Sequence, residues 1–93
     1  MYRIGVDTGG TFTDCVIIDA QGRVGVGKAL STHDDLAVGI CNSIENAART
    51  IDLSLDAALA EAELLAHATT VGINALLTGR GARVGLVTTA GFE

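Results

Sequence analysis

The stretch Asp7-Thr8-Gly9-Gly10-Thr11-Phe12-Thr13-Asp14 constrains this chain most, because it sets two adjacent glycines between two runs rich in β-branched residues. Tyr2 to Val6 precedes it and Asp14 to Asp19 follows, and both runs read as strands. A Gly-Gly pair in that position turns the chain, and on its own it needs no more than a hairpin whose acids solvate the ends. The whole octet carries more chemistry. Gly9 and Gly10 remove side chains that would hold the backbone off a polyphosphate, so their amides can meet its oxygens. Thr11 and Thr13 add hydroxyl donors, and Asp14 sits across the turn, placed to orient a hydroxyl or a metal-bound water. Asp7, at the carboxyl end of the first strand, suits a hydrated Mg²⁺ bridging phosphates, an ion that keeps most of its waters and takes few carboxylates. A strand follows the turn where the P-loop and the dinucleotide fingerprint both need a helix, so neither fits. The expectation is a phosphate-binding turn of an ATP-using protein.

Beyond the octet, Ala20-Gln21-Gly22 makes a short turn into a third strand over Arg23 to Leu30, which predicts an antiparallel meander. Asp34 and Asp35 are N-cap candidates for a helix whose apolar stripe runs through Leu36, Ile40, Ile44, Ala47, Ala48 and Ile51. Ser54 caps a shorter helix through Leu55 to Ala62, and Leu64 to Ala68 is a brief strand. Thr69 or Thr70 caps a further helix over 71–78, which Gly79 ends by turning left-handed, and Arg83 to Thr89 is a last strand. The predicted fold class is α/β. A mixed sheet follows, with a three-strand antiparallel meander and then two helix-connected parallel strands.

Two further segments carry candidate ligand groups. His67-Ala68-Thr69-Thr70-Val71-Gly72-Ile73-Asn74 spans a strand-to-helix junction, where unpaired amides and the helix dipole favour an anion. The plainer reading has Thr69 and Thr70 capping the helix and His67 as a hydrogen-bonded core residue. Thr88-Thr89-Ala90-Gly91 follows the last strand, and in a sheet of this kind ligands gather at the carboxyl ends of strands. Taken singly, its threonines read as strand-end packing residues.

Composition narrows the functional classes. Eleven acidic residues face six basic ones, for a net charge of −5, and the basic residues form no dense run. Nucleic-acid binding is disfavoured, since affinity for a phosphate backbone needs clustered positive charge. Cys15 and Cys41 lack the spacing of a zinc site or a disulfide framework. No apolar run is long enough for a signal peptide or a membrane span, which predicts a cytoplasmic protein. Ninety-three residues hold one core, and the loop-like Ala90-Gly91-Phe92-Glu93 after a strand reads as the opening of something longer.

The three segments, in order, resemble the N-terminal region of the hydantoinase A, 5-oxoprolinase and ketone (acetone, acetophenone) carboxylase family. Gly5 to Asp14 is similar to its opening motif, His67 to Leu77 to its His-Gly-Thr-Thr segment, and Arg80 to Phe92 to its next strand and loop. Ala68 stands where the family usually has glycine. The resemblance covers nearly all of residues 1–93, taken as one N-terminal part of an ATPase-fold domain. It implies a ribonuclease-H-like fold, shared with actin, sugar kinases and heat-shock ATPases. It also implies ATP and Mg²⁺ as cofactors, with a carbonyl substrate such as a hydantoin, lactam or ketone. The carried-over roles are metal binding at Asp7, phosphate contacts at Gly9, Gly10, Thr11 and Thr13, and a second site at His67, Thr69 and Thr70. A second subunit or a C-terminal domain would complete the site, leaving residues 1–93 inactive alone. A sugar-kinase-like phosphotransferase and a non-catalytic ATPase-fold module remain as alternatives.

Overall fold

The computed structural model describes residues 1–69, 79, 82, 83, 85, 87 and 89–91. Four strands and two helices occur among them: β1 (Tyr2–Thr8), β2 (Phe12–Ile18), β3 (Val24–Leu30), α1 (Leu36–Arg49), α2 (Leu55–Ala60) and β4 (Ala62–Thr69). The sheet order is β3-β2-β1-β4. β1 and β3 both pair antiparallel with β2, and β4 lies parallel to β1, with Val6 opposite His67 and Thr8 opposite Thr69. The expected helix over 71–78 falls on residues outside the described set; of the strand expected over 83–89, residues 83, 85, 87 and 89 are described, and none of these four lies in a strand. Gly79, expected to end that helix, is at φ 68, in the left-handed region.

Strand alternation sorts the residues into two faces. Ile4, Val6, Thr8, Thr13, Cys15 and Ile17 are buried on the face that α1 covers, where they meet Ile44, Ala47, Ala48 and Ile51. Four of the six residues in the predicted helical stripe are therefore core, and Leu36 and Ile40 lie at its half-buried margin. Asp35 is the N-cap of α1, its side chain accepting from the Ala37 amide, and Ser54 caps α2 by accepting from Ala57.

Several boundaries differ from those expected, β1 running on to Thr8 and β4 spanning Ala62–Thr69 among them. β2 begins at Phe12 rather than Asp14, because the Gly9 amide donates to the Phe12 carbonyl at 2.9 Å and carries the ladder to the turn. The octet is thus mostly strand, with Gly9, Gly10 and Thr11 as its turn. α1 stops at Arg49, with Thr50 as C-cap and Asp52 at φ 56, ahead of Ile51. α2 stops at Ala60, because Ala62 is already paired with Tyr2 at the start of β4.

Candidate functional site

Asp7 and Asp14 are directly opposite in the β1–β2 ladder, and Asp14 is opposite Lys28 in the β2–β3 ladder. All three project from the face of the sheet that α1 leaves bare. Adjacent carboxylates repel in such a register. Lys28 relieves the clash at one of them: its Nζ lies 2.8 Å from Asp14 Oδ1 and 4.7 Å from the centre of the Phe12 ring. Among the described residues, Asp7 has no ion-pair partner and is exposed. The result is a row of charge across three strands, with one carboxylate neutralised and one open.

A groove of about 410 Å³ lies against this row, lined by Gly5, Asp7, Asp14, Val16, Ala66 and Ala68 and bordered by Val6 and His67. Its floor is kept low by the small residues at Gly5, Ala66 and Ala68. No set of three or more His, Cys, Asp or Glu residues able to cage a metal occurs among the described residues. What the groove offers instead is one open carboxylate with a second across the ladder. That donor set fits Mg²⁺, which holds its waters and takes one or two carboxylates while phosphates supply the rest.

Thr8 and Thr13 have the opposite parity and point into the α1 side, each only 1% exposed. The Ser31 hydroxyl donates to the Gly9 carbonyl at 2.7 Å, which leaves Thr13 Oγ1, 3.0 Å from Ser31 Oγ, as the donor in that contact. The Thr13 hydroxyl therefore supports the turn from behind. Thr11, at the tip, is exposed. Left-handed φ is confined, among the described glycines, to Gly22, Gly79 and Gly91, so Gly9 and Gly10 do not owe their places to a left-handed backbone, and the Gly9 amide, donating to the Phe12 carbonyl, is not free for the phosphate contact expected of it.

His67 stands on the α1-side face of β4, its Nε2 3.0 Å from the Thr8 hydroxyl. The hydrogen bond matches the plainer sequence expectation, but the ring is exposed rather than in the core. Thr69 ends β4 opposite Thr8, at the same sheet edge as the turn. Thr70 and Thr88 lie outside the described residues. Thr89 and Ala90 are exposed.

Sequence reasoning passed over Lys28, Ser31 and His33. His33 Nε2 lies 2.7 Å from the Gly10 carbonyl, although 23 residues separate the two. The available signal was the polar run Ser31-Thr32-His33 at the end of a strand, where the chain must pass the first turn if the meander holds. Cys15 is no hidden nucleophile: it is fully buried, and burial pushes its thiol up from 9.0 to about 11. No described helix is long and apolar enough to cross a membrane.

Comparison with known proteins bears on the family and the fold. The chain is 40% identical over 92 residues to the caprolactamase alpha subunit of Pseudomonas jessenii, covering 99% of this chain and 13% of that subunit. It is 38% identical to the acetophenone carboxylase gamma subunit of Aromatoleum aromaticum, covering 97% of this chain and 12% of the subunit. A nucleotide-free structure of acetone carboxylase, solved to address ATP-dependent acetone carboxylation, superposes with a TM-score of 0.83 at 33% identity, over 97% of this chain and 13% of that one. The chain thus spans about an eighth of the length of these relatives. The family described as the hydantoinase/oxoprolinase N-terminal region matches residues 3–93, and with the Gly5 to Asp14 motif, the parallel β4 and the shared fold, the chain belongs to that family.

Proposed function

We propose that this region forms the phosphate-gripping part of an ATP-dependent enzyme that activates a carbonyl group, most closely one that opens cyclic amides. The observation that carries the reading is the open Asp7 carboxylate at the carboxyl end of β1, beside a turn that opens with two glycines. In this reading the sheet opens a ribonuclease-H-like ATPase fold. Asp7 would hold Mg²⁺, the Gly10 and Thr11 amides and the Thr11 hydroxyl would meet phosphate oxygens, and Asp14 would orient a water at that site. Thr13 acts behind the turn, and His67 and Thr69 stand where a second anion contact would form. Bound Mg²⁺ would supply charge neutralisation across the transferred phosphoryl group.

The amide-hydrolase reading is supported by the similarity to a caprolactamase subunit. Phosphorylation of an amide oxygen by ATP would open its carbon to water; C–N cleavage would then release the protonated ring amine and leave an acyl phosphate, which a second water would hydrolyse to carboxylate and phosphate. A second reading, activation of a ketone for carboxylation, is supported by the similarity to acetophenone and acetone carboxylase subunits. These relatives carry subunit designations, so a partner subunit that completes the site belongs to both readings.

The test is calorimetric titration of the full-length protein with Mg-ATP. Saturable binding that Asp7→Ala weakens at least about tenfold supports the grip on nucleotide, and binding indifferent to Asp7→Ala removes it. ADP release dependent on a lactam, or on a ketone with bicarbonate, then separates the two reactions.

A further inference from the structure

The turn at Gly9, Gly10 and Thr11 has three consecutive carbonyl oxygens, and all three are taken up by one short segment that follows β3. The Ser31 amide donates to the Thr11 carbonyl at 2.9 Å, the Ser31 hydroxyl to the Gly9 carbonyl at 2.7 Å, and His33 Nε2 meets the Gly10 carbonyl at 2.7 Å. A carbonyl oxygen can only accept, so His33 Nε2 must carry its proton. The segment is itself fixed to α1. Thr32 Oγ1 donates to the Asp35 carbonyl at 2.5 Å and accepts from the Gly39 amide at 2.8 Å, while Asp35 caps the helix. Thr13, donating to Ser31 Oγ, closes the set from β2.

These contacts sort the turn's polar groups by sign. Outward carbonyls would repel an anion, and here each is engaged by a donor. Among the described residues, the Gly10 and Thr11 amides donate to no acceptor, so what the turn retains for a ligand is N–H groups.

We propose that Ser31 and His33 are positioning residues of this site: they hold the turn's carbonyls away from an anion and present its amides to the phosphates of a nucleotide. The inference rests on the nucleotide reading above. Thr32 and Asp35 tie the clamp to α1.

The experiment uses the full-length protein with four single variants, Ser31→Ala, Ser31→Thr, His33→Ala and His33→Gln. Binding is measured with Mg-ATP and, separately, with adenosine, which has no phosphate for the turn to grip. Loss of one such hydrogen bond should weaken Mg-ATP about 3- to 10-fold in each alanine variant, with adenosine unchanged and Ser31→Thr restoring most of the loss. Because His33 is exposed, its variants remain informative even if Ser31→Ala disturbs folding. Equal weakening of Mg-ATP and adenosine would reduce the clamp to a structural element and overturn the proposal. So would wild-type affinity in both alanine variants. A wild-type protein that binds no Mg-ATP would instead remove the nucleotide reading, and this inference with it.

Discussion

Asp19 shows at the scale of one residue how a hairpin is held without proline. It is 9% exposed, and its Oδ1 accepts from the Gln21 amide at 3.0 Å and the Arg23 amide at 2.7 Å, while Oδ2 accepts from Arg23 Nε at 2.8 Å. The Arg23 guanidinium is the largest influence holding its carboxyl below the ordinary 3.8, with the two amides adding to it and burial opposing. The native state therefore binds this proton less readily than the unfolded chain. Its stabilising contribution is whole above about pH 4 and is lost as pH falls through the lowered native value. Asp19→Asn should remove that component, so unfolding midpoints of the variant and wild type should converge as pH drops from 5 to 2. Midpoints that stay parallel over that range would refute the assignment. The same scale shows what the octet disclosed and what it hid. Asp7 and Asp14 were legible as a pair flanking a turn. That Thr13 faces the core was not, because parity depends on where the ladder closes, and Gly9 and Phe12 close it later than the two glycines advertise.

Between elements, the tightest fit is that of α1 on β3. A Cβ at Gly25 would come within 2.5 Å of the Ala47 carbonyl oxygen, and one at Gly27 within 2.6 Å of the Ser43 carbonyl oxygen. Glycine weakens a strand. Here it lets the helix backbone lie directly on the sheet, and Ala47 and Ala48 on the helix side are fully buried in the contact. Overpacking predicts that Gly27→Ala costs about 1–3 kcal/mol, read as a lowered urea midpoint with an unchanged slope. Gly5→Ala is the control. Its added Cβ would meet nothing within 4 Å, and it should shift the midpoint little or upward. A Gly27→Ala protein as stable as Gly5→Ala would show that the close packing carries no energetic weight. The strands and helices themselves were readable, since β-branched alternation, a helical stripe and two caps are local signals. The alternation Val24-Gly25-Val26-Gly27 against Ala47-Ala48 is a match between distant segments, and neither half announces the other.

For the whole molecule, the unequal covering of the sheet decides how this region behaves. One face is sealed by α1. The other carries Val16, Ile18, Val24, Val26 and Leu30 at 39%, 41%, 55%, 60% and 64% exposure, beside the charged row of Asp7, Asp14 and Lys28. Soluble monomers seldom leave an aliphatic sheet face of this extent open to water, and among the described residues β3 is an edge strand at its margin. Residues 1–93 expressed alone should therefore bind a hydrophobic dye and self-associate. Paired substitution Val24→Glu with Val26→Lys should suppress both, because the two side chains stand on the bare face while their neighbours Gly25 and Gly27 lie under α1. Far-UV circular dichroism should be unchanged, since neither side chain is in the core. In the full-length protein the same pair should have the opposite consequence. If other parts of the protein or a partner subunit cover this face, two buried charges would lower its thermal midpoint and its yield. Full-length protein that tolerates the pair without loss would mean that the face stays in water, and the groove beside Asp7 would then need another wall.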